Sequence, residues 1–356
     1  MTKKTIDSWN EQSPGNSKVK VFIYSDHSCE TIEGRWRGLR RLKELYELSN
    51  KKYSLTNDPE AAVIILFGDI REENWTRKLL ENELINKYPH KCFSLSWHDH
   101  PFFLNHGIFV NNRKSIWTLG RVRTGAYTLR HFSSINPYIE SHRISDQDYN
   151  GKKYLLTFIG RNSHKIRKKI FNLAFDREDI FIEDSSNFKL WSKGNDGKIE
   201  RQKYFYNMLL RSKFSLCPRG SGTNSIRLFE SMQMGVAPVI ISDDWIFPRG
   251  PRWNEFSIVI KEKMIRDLEK IVLSHENNYK EMGRLARKAF EEYFSEDVYF
   301  NYLINNCIGI QNNQLIPESI YWKCNSLLLK SRTNISKIRA KLRVRSRIKK
   351  LISSNK

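Results

Sequence analysis

The residues best suited to chemistry lie in one segment, 214–245, which reads FSLCPRGSGTNSIRLFESMQMGVAPVIISDDW. An apolar strand ends at Cys217 and a turn rich in Pro, Gly and Ser follows it. Helical spacing then begins near Asn224 or Ser225, and a second strand occupies 236–242. The segment predicts a strand, loop, helix and strand, with the loop at the carboxyl end of a strand, where open parallel sheets bind ligands.

The loop at 218–224 suits an anion. Its glycines let main-chain N–H groups approach closely, and the helix N-terminus adds partial positive charge. Arg219 and Arg227 can donate charge-assisted hydrogen bonds to phosphate. The loop lacks the third glycine of a dinucleotide fingerprint and the Gly-Lys-Ser/Thr of a P-loop. A nucleoside diphosphate fits this chemistry, and a purely structural turn is the alternative.

A carboxylate on the following helix extends this candidate site. Glu230 lies three residues after Arg227 and seven after Thr223, a spacing that places it on the helix face toward the loop. There it can accept hydrogen bonds from both hydroxyls of a ribose. A salt bridge with Arg227 within the helix is the alternative role.

Short apolar runs alternate with helical spacing along the chain, which predicts an α/β fold with buried parallel strands and helices on both sheet faces. The expected strands are 19–24, 61–67, 91–97, 154–160, 179–184, 213–217, 236–242 and 256–260. The expected helices are 38–48, 73–88, 165–175 and 225–235. One or two closing helices are expected after residue 283.

The length of 356 residues fits two domains of about 150 residues each. A polar stretch at 133–153, with Pro137 and Gly151, is typical of a linker and places the boundary near residue 150. The expected division is an acceptor-side Rossmann-like domain at 1–150, a nucleotide-sugar-binding Rossmann-like domain at 151–310 and an extension at 311–356.

Composition and targeting signals narrow the class of protein. Hydrophobic residues make up 39% of the chain and aromatic residues 12%, which argues against wholesale disorder. The five cysteines are scattered without C-x-x-C spacing, so we expect reduced thiols and no structural zinc. The N-terminus has no apolar run behind its lysines, and no stretch reaches about 18 apolar residues. A cytoplasmic location is expected.

Several ordered blocks resemble the exostosin family of glycosyltransferases. The runs SKFSLCPRG, RLFE and GVAPVIISDDWIFP look like that family's nucleotide-binding signature, which continues through Trp253 and FSIVI. Upstream, YLLTFIGR and KIRKKIFNL are similar to the opening of its second domain. The resemblance covers roughly 150–265, and the N-terminal half matches only loosely. It implies a GT-B architecture of two Rossmann-like α/β/α domains facing a cleft, a UDP-sugar donor and inversion of the anomeric centre.

The resemblance also implies roles for individual residues, with the donor held by the C-terminal domain. The implied donor-nucleotide residues are Arg161, Arg219, Gly220, Ser221, Gly222, Thr223, Ser225, Arg227 and Glu230. Within this set Arg227 supports the diphosphate and Glu230 holds the ribose. Ser242, Asp243 and Asp244 are expected at the sugar end.

The adjacent carboxylates of Asp243 and Asp244 invite comparison with the Asp-x-Asp metal sites of other glycosyltransferases. No residue separates them here, and arginines with a helix dipole can neutralise a leaving diphosphate without a cation. We therefore expect no metal and no cofactor beyond the nucleotide-sugar co-substrate. A turn cap before Trp245 is the alternative role for either aspartate.

Inverting transfer requires a general base on the acceptor side of the cleft. His98, Asp99 and His100 directly follow the expected strand at 91–97, which places an acid and two imidazoles at a strand end. Asp99 is the predicted base, with His98 and His100 as acceptor contacts or as the base themselves. Asp26-His27, after the first strand, is the competing site, and an ordinary surface loop is the alternative.

The formal net charge is +22, and the segment from Lys330 to Lys356 has eleven Lys and Arg residues and no acid. Ile335, Ile338 and Leu342 begin a partial helical stripe there. We expect 330–356 to lie on an anionic membrane surface as a basic amphipathic helix, and a solvated tail is the alternative. Membrane contact suits a lipid-linked oligosaccharide acceptor and surface polysaccharide or lipopolysaccharide synthesis.

Two other function classes compete. Charge alone would suit a nucleic-acid-binding protein, but the sequence contains no zinc finger, RNP motif or recognisable helix-turn-helix, so no nucleic acid is expected. A non-catalytic protein that retains the fold would bind nucleotide weakly without turnover.

Overall fold

The structure is a computed structural model that describes residues 18–24, 38–68, 79–99, 101, 103–114, 118, 120–129, 135–188 and 197–328. Three of the sequence predictions fall outside these residues. They concern the pair Asp26-His27, the side chain of His100 and the basic segment 330–356.

The first half of the chain forms a six-stranded sheet in the order β2-β1-β3-β4-β5-β6, with every pair parallel. Its strands are β1 (Lys20–Tyr24), β2 (Ser54–Leu55), β3 (Ile64–Phe67), β4 (Cys92–Ser96), β5 (Gly107–Phe109) and β6 (Val122–Thr124). The central strand β3 is apolar and buried along its whole length. Continuous apolar sequence of this kind is typical of a parallel strand covered on both faces.

The second half forms a five-stranded parallel sheet in the order β11-β10-β9-β7-β8. Its strands are β7 (Tyr154–Gly160), β8 (Ile180–Asp184), β9 (Ser212–Pro218), β10 (Ala237–Ile241) and β11 (Ile258–Val259). The strand β8 was predicted to be buried, but it lies at the sheet edge and stays partly exposed.

Helices cover both sheets. The described α-helices are α1 (Gly38–Leu48), α2 (Glu83–Lys87), α3 (Pro137–Ser141), α4 (Lys165–Phe171), α5 (Lys198–Leu210), α6 (Ile226–Gln233), α7 (Trp253–Phe256), α8 (Leu268–Leu273), α9 (Tyr279–Tyr293) and α10 (Glu296–Asn313). Short 3₁₀ helices occupy Tyr127–Leu129, Asp146–Tyr149, Glu262–Asp267 and Glu276–Asn278. Helical residues 318–328 end the described chain.

The chain crosses back to its first half after α9. The helix α10 packs against α1 and against β3, β5 and β6 of the first sheet. On another side of that sheet, Trp322 joins a buried cluster that includes Ile85 and Phe67. The first sheet is thus completed by residues from the end of the described chain, and the division of the chain at residues 150 and 310 stays a prediction.

The predicted α/β architecture of two parallel sheets is confirmed, and all eight predicted strands are present. The prediction missed β2, β5 and β6, which have only two or three residues each and cannot display a period. The described part of the expected helix 73–88 is interrupted at Asn82, whose side chain accepts a hydrogen bond from the Ile85 N–H and caps a new helix there. Among the described helices, none is both long and apolar enough to cross a membrane.

Candidate anion-binding site at the carboxyl edge of the second sheet

The order of strands identifies one binding crevice in the second sheet. After β7 the chain first adds β8 on one side and then β9 on the other, so the topology reverses between β7 and β9. The carboxyl ends of strands at such a switch point form the usual ligand crevice of open α/β sheets. Residues 161–163 follow β7 and residues 219–225 follow β9. The two loops touch, since a Cβ on Gly220 would lie 3.2 Å from Ser163 Oγ.

The loop after β9, which we call the donor loop (residues 219–225), presents unused main-chain donors. The Arg219 N–H bonds to the Ile241 carbonyl at 3.0 Å and the Asn224 N–H bonds to Asn111 Oδ1 at 3.0 Å. Among the described contacts, none uses the N–H groups of residues 220–223. Of these residues only Ser221 is exposed. Because buried N–H groups seek an acceptor, this arrangement suits an anion.

Arg167 on α4 holds the two loops together, and the sequence did not single it out. Its guanidinium donates three hydrogen bonds to main-chain carbonyls, at 3.1 Å to Arg161, 3.0 Å to Pro218 and 2.9 Å to Arg219. Burial and the nearby Arg227 lower its pKa. The basic helix that follows β7 was the only sequence signal, because the carbonyl partners come together only in the folded chain.

Arg227, in the first turn of α6, also points to the carboxyl edge. One of its terminal nitrogens donates to the Ile159 carbonyl, and its guanidinium lies 4.7 Å from the centre of the Phe158 ring. Burial lowers its pKa, although Glu230 acts in the opposite direction. The carboxylate of Glu230, which is almost fully buried, is therefore close enough to interact electrostatically with Arg227.

Arg219 links the donor loop to the residues that follow β10. Its Nε donates to the Gly222 carbonyl at 3.3 Å, and one Nη lies 3.5 Å from the Asp244 carboxylate and 3.9 Å from that of Glu262. Partial burial and the charge of Arg219 lower the pKa of His164, the N-cap residue of α4. The positive groups of the site are thus close enough to influence one another.

The small polar residues of the predicted site fall into two groups. Thr223 is wholly buried, with its hydroxyl donating to the Asn112 carbonyl at 3.3 Å, and the Ser242 hydroxyl donates to the Thr223 carbonyl at 2.7 Å. These two hydroxyls stabilise the loop conformation. By contrast Ser221 and Arg161 are exposed.

Ser225 ends the donor loop, and Asp243 lies after β10. Ser225 is the N-cap residue of α6, yet its side chain makes no capping hydrogen bond. Asp243 Oδ1 accepts a hydrogen bond from the Glu262 N–H at 3.0 Å. The hydrogen bond of Asp243 fits the turn role that the sequence left open for the aspartates.

Asn111, between β5 and β6, connects the donor loop to the first half of the chain. Its Nδ2 donates to the His98 carbonyl at 2.8 Å and to the Tyr127 hydroxyl at 3.1 Å, while its Oδ1 accepts from the Asn224 N–H. The side chain is buried. The structure therefore brings the loop that contains His98 and Asp99 to the donor loop through a single amide.

Asp99 itself is exposed, and its charge acts on Tyr127 and Arg167 near the donor loop. Burial is the main cause that raises the pKa of the Tyr127 hydroxyl, and Asp99 adds to it. Asp99 also acts on Arg167 in the opposite half. The predicted base and the predicted anion loop thus lie within electrostatic reach of each other.

Hydrogen bonds on both sides of Asn111 form a seam between the halves. Lys114 donates to the carbonyls of Asp244 and Asp243, at 2.8 Å from its N–H and 2.6 Å from its Nζ. The Trp245 Nε1–H donates to the Val110 carbonyl at 3.1 Å. The only sequence signal for this seam is a pair of consecutive asparagines after an apolar run.

Three buried polar atoms around the donor loop have no partner among the described contacts: Arg227 Nε, Asn224 Nδ2 and Asn112 Oδ1. Unsatisfied buried groups are uncommon in folded proteins, and a missing polar ligand is a standard reason for them. Within the described residues, no group of three or more His, Cys, Asp and Glu side chains could hold a metal ion. The absence of a metal requirement stays a prediction.

The fold and the site define an α/β protein with a loop of unused main-chain donors at the switch point of its second sheet. The model of the Exostosin GT47 domain matches residues 15–274, and the chain belongs to this family. It is therefore a glycosyltransferase that acts on glycans, as the sequence resemblance implied.

The chain is similar to several named proteins. It is 25% identical over 276 residues to an Exostosin-1 homolog of Caenorhabditis elegans, covering 67% of this chain and 72% of that protein. Against Exostosin-1 of Drosophila melanogaster the identity is 25% over 289 residues, which is 71% of this chain but only 38% of the fly protein. A probable glucuronosyltransferase of Oryza sativa subsp. japonica is 40% identical over 81 residues, 22% of this chain and 19% of that one.

Among solved structures, TarM aligns with a TM-score of 0.38 at 14% identity, covering 76% of this chain and 57% of TarM. This similarity is too low to support a functional statement.

Proposed function

We propose that the protein transfers a sugar from a nucleoside diphosphate sugar, most simply a UDP-sugar, to a hydroxyl of a glycan or lipid-linked glycan, with inversion. The observation that carries the proposal is the cluster of unused polar groups at the switch point. Four consecutive N–H groups at 220–223 have no partner among the described contacts, Arg227 Nε is buried without one, and Arg219 lies in the same loop. A diphosphate would satisfy them together.

The donor would be oriented along this crevice. Its diphosphate would lie against the main chain of 220–223, with Arg161 and Arg219 at its sides, and its ribose would meet Glu230. Ser242, Asp243 and Asp244 would border the sugar. Fixed N–H groups and arginines stabilise the charge that develops on a departing diphosphate, and no metal ion is needed in this arrangement.

The acceptor would approach from the first half of the chain. Asp99 would deprotonate the acceptor hydroxyl, with His98 and His100 as acceptor contacts. The exposure of Asp99 and the Asn111 bridge from His98 to the donor loop support this placement. An in-line attack from the side opposite the leaving group gives inversion.

The setting of the reaction is also a proposal. A cytoplasmic enzyme that extends a lipid-linked oligosaccharide would contribute to surface polysaccharide or lipopolysaccharide synthesis, and the basic segment 330–356 would contact anionic lipid. That segment lies outside the described residues. Nucleic acid is not a proposed partner.

Calorimetric titration with a panel of UDP- and GDP-sugars tests the donor assignment. UDP-glucuronic acid belongs in the panel because several similar proteins are named probable glucuronosyltransferases. Each titration is repeated with a divalent cation and with a chelator, and unchanged affinity is expected. Failure to bind any sugar nucleotide would contradict the proposal, and donor binding without transfer to any acceptor would contradict its catalytic part.

Two variants sharpen this test. Arg219→Ala and Glu230→Ala are each expected to weaken donor binding at least about tenfold, because each removes a charge-assisted hydrogen bond worth about 1.5–3 kcal/mol. Arg40→Ala removes an arginine that is 61% exposed on α1 and is the matched control. Equal affinities for all three variants would show that the assigned diphosphate and ribose contacts are wrong.

A further inference from the structure

One face of the helical residues 318–328 packs against the first half of the chain. Glu318 is wholly buried and forms a two-bond ion pair with Arg121, with both N–O distances at 2.7 Å. The indole N–H of the buried Trp322 donates to Asn86 at 3.0 Å, and the Asn325 amide donates to the Leu104 carbonyl at 3.0 Å. This face is therefore a packed part of the fold.

The opposite side of the same segment exposes large apolar side chains. Ile320 is 55% exposed, Leu327 62% and Leu328 61%. Just before the helix, Leu315 and Ile316 are 76% and 37% exposed. The spacing of 320 and 327 places these two positions on one side of the helix. We call these five side chains the apolar face. Exposed apolar residues are usually scattered singly, so five of them within fourteen residues mark an interaction surface.

The charge of the sequence that contains and follows the apolar face identifies the partner. From residue 315 to residue 356 the chain has twelve Lys and Arg residues and one acid, Glu318. That acid is buried against Arg121, so it does not offset the positive charge at the surface. Apolar side chains followed by uncompensated positive charge match the two layers of an anionic bilayer, acyl chains beneath phosphate headgroups. A second copy of this chain, with a net charge of +22, is repelled from the same surface.

We propose that the apolar face docks on an anionic lipid bilayer, with its side chains at the boundary between headgroups and acyl chains. The inference builds on the proposed contact with anionic lipid and assigns the apolar anchor to 315–328 rather than to 330–356 alone. It does not depend on the donor or on the chemistry of transfer.

Vesicle sedimentation of the full chain tests the proposal. Phosphatidylcholine vesicles are compared with vesicles that also contain phosphatidylglycerol, and strong binding is expected only with the anionic lipid. Raising the salt from about 0.1 M to about 0.5 M is expected to weaken binding at least about tenfold, because screening acts on the basic residues. Equal binding to neutral vesicles, or no binding to anionic vesicles, would overturn the proposal.

A matched pair of double variants separates the apolar face from general surface charge. Ile320→Glu with Leu327→Glu places two acids in the apolar face and is expected to reduce vesicle affinity at least about tenfold. Val63→Glu with Leu273→Glu makes the same charge change at side chains that are 43% and 42% exposed elsewhere, and less than about threefold change is expected. Equal losses in both variants would refute the role of the apolar face.

Two further readouts keep the outcomes distinct. If the first variant is poorly folded by circular dichroism, Ile320→Ser with Leu327→Ser removes the apolar groups without adding charge, and the same loss is expected. Analytical ultracentrifugation then examines self-association: a wild-type dimer that the variant disrupts, with vesicle binding unchanged, would assign the face to a second copy and overturn the proposal. Donor titrations on the same proteins show independently whether the proposed function holds.

Discussion

Replacement of Gly222 by alanine is expected to break the link between the two halves at the donor loop. A Cβ at this position would lie 2.3 Å from Asn111 Oδ1, 2.6 Å from its Cγ and 2.9 Å from its Nδ2. Gly222 is not among the glycines with positive φ, so its backbone conformation admits alanine and the obstacle is the Asn111 amide. That amide can move only by giving up its hydrogen bonds to His98, Tyr127 and Asn224.

The expected loss follows from those three hydrogen bonds. At about 0.5–1.5 kcal/mol each, their disruption lowers the free energy of unfolding by about 1.5–4.5 kcal/mol. Urea denaturation followed by tryptophan fluorescence measures this loss. Donor affinity is also expected to fall, because the Asn224 N–H then no longer holds the end of the donor loop.

A double-mutant cycle with Asn111→Ala is the decisive control. The three atoms nearest the new Cβ are all removed by Asn111→Ala, so Gly222→Ala should cost less than about 0.5 kcal/mol in that background. The coupling energy should then nearly equal the cost of Gly222→Ala in the wild type. If Gly222→Ala costs the same in both backgrounds, the steric conflict with Asn111 is not the cause of the loss.

Four other substitutions test separate parts of the structure. Arg167→Lys keeps the charge but cannot reach three carbonyls, so donor affinity by calorimetry should fall at least about tenfold, and an unchanged affinity would exclude a role in shaping the loop. Asp99→Asn should reduce kcat by at least about a hundredfold with donor affinity unchanged, whereas a normal kcat would direct attention to another base. Glu318→Gln leaves Arg121 buried without its ion pair and should lower the free energy of unfolding by about 3–5 kcal/mol in urea, and a loss below about 1 kcal/mol would contradict the strength assigned to the pair. Burial lowers the pKa of His106 to about 3. His106 of the unfolded chain, with a pKa of about 6.5, therefore takes up a proton first as the pH falls. The wild type should lose about 1 kcal/mol of stability between about pH 7 and pH 5.5 that His106→Gln does not lose. Identical pH profiles would show that His106 does not titrate in this way.

The local parts of the site were predictable because they depend on neighbours in sequence. The strand β7 was expected at 154–160 and occupies those residues, and the helix expected at 225–235 corresponds to Ile226–Gln233. Apolar runs, glycines and helical spacing are sufficient for such elements. The loop after β9 was placed correctly for the same reason.

The contacts that could not be predicted from the sequence join residues that are far apart along the chain. Arg167 donates to carbonyls on two separate loops, and Arg121 meets Glu318 from 197 positions away. A main-chain carbonyl carries no residue-type signal, and one sequence contains no record of which distant side chains meet. The hydrogen bond of the Thr223 hydroxyl could not be predicted for the same reason, because its acceptor is the carbonyl of Asn112 in the other half.

Polar bonds at the donor loop and a shared apolar cluster that includes Tyr127, Phe229 and Trp245 both hold the acceptor side in place. Opening the crevice would break the Asn224–Asn111 bond and the Thr223–Asn112 bond, each with a net value of about 1 kcal/mol. A donor that fills the unused N–H groups of 220–223 does not compete with either bond, because the seam uses Asn224 N–H and the Thr223 hydroxyl instead. Donor binding and the contact between the halves can therefore support each other through one loop. Such a loop is organised before the donor arrives, which reduces the entropic cost of binding.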